Sequence, residues 1–186
     1  MGFAMCGLGP IVRGYSLIAT HRHIRSCADA AGCEEYGFLA FASDVRAKLT
    51  SYYGQCLLAE HGRMPVCADI SNDSDPHCYH AHFLMFPGTP AIEDKAISYF
   101  SRADRVASLE DAIEMARAYE EYFLFSSDPE CFLVMGGSER IIRQLARLIV
   151  AESLGCLELA DWRTHAKRDE AVSAAMELRG LFTDTR

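Results

Sequence analysis

The stretch His77-Cys78-Tyr79-His80-Ala81-His82-Phe83-Leu84-Met85-Phe86-Pro87 constrains the fold more than any other part of the chain. It is dense in aromatic and apolar residues, and Pro87 lacks the N–H a sheet ladder needs, so it reads as a strand that stops there. Side chains alternate along a strand. Cys78, His80, His82 and Leu84 therefore share one face, and Tyr79, Ala81, Phe83 and Met85 share the other.

The rest of the chain mixes both kinds of element. Residues 14–20 (GYSLIAT) read as a strand after a glycine turn, and residues 122–125 and 131–135 as two strands around a Ser-Ser-Asp-Pro-Glu turn. Between residues 44 and 58, Val45, Leu49, Tyr52, Tyr53 and Cys56 fall on one helical face. Residues 62–76 are polar and read as a long loop. Ser108-Leu109-Glu110-Asp111 has the form of a capping box and predicts a helix to about Glu120. A helix is expected to open at Gly136-Gly137-Ser138 and to close at Gly155, and a last one covers residues 169–182. Strands that can pair through short turns, mixed with helices, predict an α+β fold: an antiparallel sheet of about five strands with packed helices. Residues 1–135 would carry the sheet domain and 136–186 a C-terminal helical extension packed on it. With 186 residues, half of them apolar, the chain suits one domain with a real core.

Charge narrows the partners. A net charge of −8 opposes broad contact with a nucleic-acid backbone, so an anionic ligand would have to be met locally. No apolar run reaches the roughly 18 residues of a membrane span. The first ten residues have no basic n-region, and the eight cysteines are scattered, so reduced thiols and a cytoplasmic location are expected.

Two imidazoles on one strand face can meet a single small anion. Histidine can attack phosphorus, move a proton and change charge near neutrality. Two other readings stand beside this one: histidines with a purely structural place, and a zinc or copper site at Cys78, His80 and His82 beside His77. The second lacks a carboxylate or Cys-x-x-Cys pair to complete it.

His80-Ala81-His82-Phe83-Leu84-Met85-Phe86 resembles the H-φ-H-φ-H-φ-φ strand of the histidine-triad (HIT) family, with Leu84 at the third histidine. Upstream, residues 9–23 (GPIVRGYSLIATHRH) resemble the family's P-x-G-H/Y-φ-L-φ-φ-P-x-x-H strand, with Tyr15 at the H/Y position and His23 at its end. Glu60-His61-Gly62 resembles the E-H-G element of a larger bacterial HIT-like subgroup. That subgroup also has a Q-x-x-R helix and a W-D-W-R motif, met here by Gln144, Arg147 and Ala160-Asp161-Trp162-Arg163.

The resemblance implies a nucleotidyl hydrolase or transferase acting on a phosphoanhydride or phosphoramidate. His82 would be the nucleophile and His80 would orient it. His77 would stand in for the leaving-group donor. Tyr15, His61, Gln144 and Arg147 would bind the nucleotide or its phosphate. Arg140 and Arg143 would share a helix side with Gln144 and Arg147. No metal or organic cofactor is required by this scheme. The expected partner is a nucleotide or nucleotide conjugate, and family members often pair as homodimers. Leu84 points to the alternative, an inactive nucleotide-binding or interaction module.

Overall fold

In a computed structural model of the chain, described over residues 2–30, 33–63, 80–137 and 144–183, one antiparallel sheet organises the molecule. Its strands are β1 (Gly2–Cys6), β2 (Ser16–Thr20), β3 (Cys56–Gly62), β4 (His82–Pro87), β5 (Arg102–Val106), β6 (Tyr122–Asp128) and β7 (Cys131–Gly136), in the order β1-β2-β4-β3-β6-β7-β5. The helices are α1 (Cys33–Tyr53), α2 (Glu93–Ile97), α3 (Leu109–Ala116), α4 (Leu145–Ser153) and α5 (Arg168–Thr183), with 3-10 turns at Cys27–Asp29 and Leu157–Leu159. The class is α+β. The described residues hold seven strands rather than about five, because β1 and β5 add an edge at each side.

Helices cover both faces of the sheet. On one face Ile18, Leu58, Phe83, Met85, Leu124 and Val134 pack against α1, α3 and Leu178 of α5. On the other, Leu57, Ala59, Leu84, Phe86, Phe123 and Phe125 pack against Leu145, Ala146, Ile149 and Val150 of α4. Each large apolar side chain buried this way contributes about 1.5–3 kcal/mol. Double coverage explains β3. Its sequence, CLLAEHG, is buried along nearly its whole length and shows no alternation to give it away.

Several boundaries differ from the sequence reading. The helix expected over residues 44–58 begins earlier and stops at Tyr53, where Gly54 adopts φ +92°, a conformation that favours glycine. Cys56, Leu57 and Leu58 belong to β3. Ser108 caps α3 as expected, its Oγ accepting from the Asp111 N–H at 3.1 Å, but α3 ends at Ala116. Gly136 closes β7 instead of opening a helix, and α4 begins at Leu145 with Gln144 in the left-handed region before it. Gln144 therefore does not continue a regular helical side shared with Arg147, and Arg140 and Arg143 lie outside the described residues.

Cys6, Cys27, Cys56, Cys131 and Cys156 are free thiols. Among the described residues no helix is long and apolar enough to cross a membrane.

Candidate active site

The histidine stretch forms a strand from His82 to Pro87, so His80 and Ala81 precede it rather than belong to it. β4 pairs antiparallel with β2 in the register Ala19↔His82, Ile18↔Phe83, Leu17↔Leu84 and Ser16↔Met85. Ala81, Phe83 and Met85 enter the α1 side of the core, and Leu84 and Phe86 enter the α4 side. Regular alternation puts His82 on the α4 side, at the start of β4, where it is half-buried. His80 lies just before the strand, held by a parallel bridge to Ile24. His77 and Cys78 lie outside the described residues.

Two backbone carbonyls set the histidine tautomers. Nδ1 of His82 lies 2.9 Å from the His80 carbonyl oxygen, which can only accept, so Nδ1 carries a proton. In the neutral ring Nε2 then has a free lone pair. Burial pushes the His82 imidazole below its usual range, the hydrogen bond to His80 opposes that, and the His80 ring adds to the lowering. His80 is oriented in the same manner, Nδ1 donating to Thr20 O at 2.7 Å. Its ring meets His23 edge-on, centroids 4.2 Å apart.

Glu60-His61-Gly62 is three residues with three tasks at the end of β3. His61 accepts at Nε2 from the N–H of Ala146, at 3.2 Å, and so caps the first turn of α4. Burial, with His82 adding, drives its pKa down to about 3. Glu60 projects to the opposite face. It accepts from the Cys27 N–H at 2.7 Å and from the Tyr122 hydroxyl at 2.8 Å, and burial raises it to about 7. Gly62 pairs with Tyr122, and a Cβ there would sit 2.0 Å from the Tyr122 ring, so only glycine fits.

The remaining sequence candidates make contacts within the protein. Arg147 is 3% exposed. Its guanidinium donates to Ala160 O at 2.9 Å, Leu159 O at 2.7 Å and Gly9 O at 2.7 Å, and it lies over the Tyr15 ring at 5.2 Å. It straps the loop before β2 to the turn after α4. Tyr15 is 3% exposed and stacks on Phe86, and burial raises its phenol. Gln144 donates to Asp161 Oδ1 at 3.0 Å and accepts from the Trp162 N–H at 3.3 Å. The Q-x-x-R and D-W-R elements are thus two halves of one packing contact. Expected as phosphate ligands, Arg147 and Gln144 have polar groups engaged by the protein itself, and Tyr15 is packed between Arg147 and Phe86. Leu84 is 5% exposed and packed in the core.

Sequence reasoning passed over His23 as a strand-end residue. The signal was present in the run His21-Arg22-His23-Ile24-Arg25, dense in basic residues within an acidic chain. The geometry yields an oriented His82 imidazole near an oriented His80 and a neutral His61. Such a group can act as a nucleophile or a base. No family model matches the chain, and no curated protein matches it.

Proposed function

We propose that the protein is a histidine-triad-like nucleotidyl hydrolase or transferase in which Nε2 of His82 attacks phosphorus. The single observation that carries this reading is the bond from His82 Nδ1 to the His80 carbonyl, which fixes the tautomer whose Nε2 lone pair is free. A ring held neutral by burial stays nucleophilic at neutral pH. The Nε2–P bond forms as the bond from phosphorus to the leaving group breaks, giving a nucleotidyl-imidazolium. The positive ring keeps its Nδ1–H on the His80 carbonyl. Water or another hydroxyl then attacks phosphorus, the Nε2–P bond breaks, the attacking group's proton passes to solvent, and a nucleoside monophosphate or its ester departs. His61 stays uncharged and offers an Nδ1–H rather than a cation.

Two successive in-line displacements leave the configuration at phosphorus unchanged. Hydrolysis of a nucleotide with a chiral α-phosphorothioate in 18O-water is expected to proceed with retention. Inversion would mean direct attack by water and would remove His82 from the nucleophile's role. A second reading, binding without turnover, draws on Leu84, which supplies no donor where the family places its third histidine. It predicts nucleotide binding with no hydrolysis of any phosphoanhydride or phosphoramidate.

A further inference from the structure

The turn between β2 and Ser26 is a basic run in an acidic chain. The chain carries 18 Lys and Arg against 26 Asp and Glu, yet residues 21–25 read His-Arg-His-Ile-Arg with no acid. His21, Arg22, His23 and Arg25 are all exposed. The turn is also built. Thr20 Oγ donates to Arg22 O at 2.8 Å, the Ile24–His80 bridge fixes its far side, and His21 packs on Phe3 with centroids 5.3 Å apart. Behind it, Glu60 holds the Cys27 N–H. Asp29, the carboxylate that feels Arg25, is already engaged by Arg63 at 2.7 Å and by Ser26 at 3.0 Å.

His80 joins this turn to the nucleophile. Its carbonyl holds His82 Nδ1, its Nδ1 is bonded to Thr20 O, and its ring touches His23. An anion leaving the phosphorus under His82 would therefore find a cationic turn one residue away from the group that orients the attack.

Leu84 bears on what can leave. An amine or alkoxide must receive a proton as its bond to phosphorus breaks, and among the described residues Leu84 has none to give. His80, in its neutral form, has its one ring proton on Thr20 O. A phosphate is already a stable anion near neutral pH, so the electron pair of the broken P–O bond stays on the bridging oxygen without protonation. What it needs is charge neutralisation. Resting on the His82 reading above, we infer that turn 21–25 is the subsite for an anionic leaving group. The substrate is then a nucleotide phosphoanhydride whose departing half is a phosphate or polyphosphate, not an amine-linked nucleotide.

The test has a binding arm and a rate arm. Inorganic tripolyphosphate, titrated calorimetrically, is the probe of the subsite. Wild type is expected to bind it, His82→Asn to bind it equally, and the His23→Ala/Arg25→Ala pair to lose about tenfold or more in affinity, the scale of two charge-assisted contacts. Both substituted side chains are exposed, and an unchanged thermal midpoint checks that the pair folds. In the rate arm, an adenosine phosphoanhydride is expected to turn over faster than the matching phosphoramidate, and the double variant to narrow that ratio. Absence of tripolyphosphate binding by wild type, affinity unchanged in the double variant, or a phosphoramidate cleaved as fast as the anhydride each overturns the inference. Binding that behaves as expected with no turnover of either substrate overturns the His82 chemistry and leaves the anion subsite standing.

Discussion

Glu60 and His61 are sequence neighbours on opposite faces of β3, and burial acts on them in opposite senses. His61 falls from its ordinary 6.5 to about 3. Below pH 6.5 the unfolded chain takes up a proton that the folded one refuses, so this residue costs stability as pH falls toward 3. Glu60 rises from 4.5 to about 7. Here the folded chain holds a proton that the unfolded one has released, so its contribution is complete below 4.5 and lost as pH rises through 7. Urea midpoints measured from pH 4 to 8 are expected to show the loss toward alkaline pH disappear in Glu60→Gln and the loss toward acid shrink in His61→Gln. Parallel profiles for both variants and wild type would contradict these environments. At Leu84, the core position argues against simple restoration of a third imidazole. Leu84→His buries a polar ring among Tyr15, Phe86 and Ala59. It is expected to lower stability by about 2 kcal/mol. Thermal denaturation checks it, and an unchanged midpoint would show that position 84 opens to solvent.

At the scale of elements, the strongest claim concerns the strap between the loop before β2 and the turn after α4. Removing Arg147 leaves three carbonyls, the buried one of Gly9 and the part-buried ones of Leu159 and Ala160, without their donor. Arg147→Ala is expected to cost about 3 kcal/mol or more, because orphaned acceptors and lost packing on Tyr15 add together. Arg147→Lys recovers only part of this, since one ammonium cannot reproduce the planar fork. With the guanidinium's donors engaged by protein carbonyls, nucleotide affinity of the folded Lys variant is expected to stay within about twofold of wild type, where a direct phosphate contact would be worth more. A large selective loss of affinity with normal stability would return Arg147 to the binding site. The pairing of Q-x-x-R with D-W-R was visible in the sequence as two motifs, but their physical contact was not. Sequence reading assigned Gln144 and Arg147 to ligand binding because Arg and Gln look the same whether they hold a carbonyl or a phosphate.

Across the whole molecule, legibility followed local signals. β2, β6, β7, α5 and the Ser108 cap were readable because alternation, turn residues and capping chemistry lie within a few residues of one another. β3 was not, although it sits between β4 and β6, because a strand covered on both faces loses its alternation. β1 and β5 were missed at the edges, where burial is partial and the pattern weak. At the site, a strand carrying His82 was legible, and the His82 tautomer rests on a carbonyl only two residues away, whereas the His80 orientation, the His61 cap and the His23–His80 contact depend on partners far off in sequence and emerge only in the fold. The same layering predicts amide exchange. β3 and β6, each paired on both sides and covered by helices, are expected to exchange slowest, and β1 fastest among the strands. Slow exchange in β1 equal to that in β3 would require a partner for its outer edge.

The central claim is that His82 becomes covalently nucleotidylated, and acid-free peptide mapping by mass spectrometry tests it directly. Wild-type protein mixed with an adenosine phosphoanhydride and stopped early is expected to carry one adenylyl group, on the peptide containing His82, bound through an acid-labile phosphorus–nitrogen bond. His82→Asn is expected to carry none while still binding the nucleotide. An adduct on another residue, or turnover by wild type with no adduct at any time point, would contradict the account.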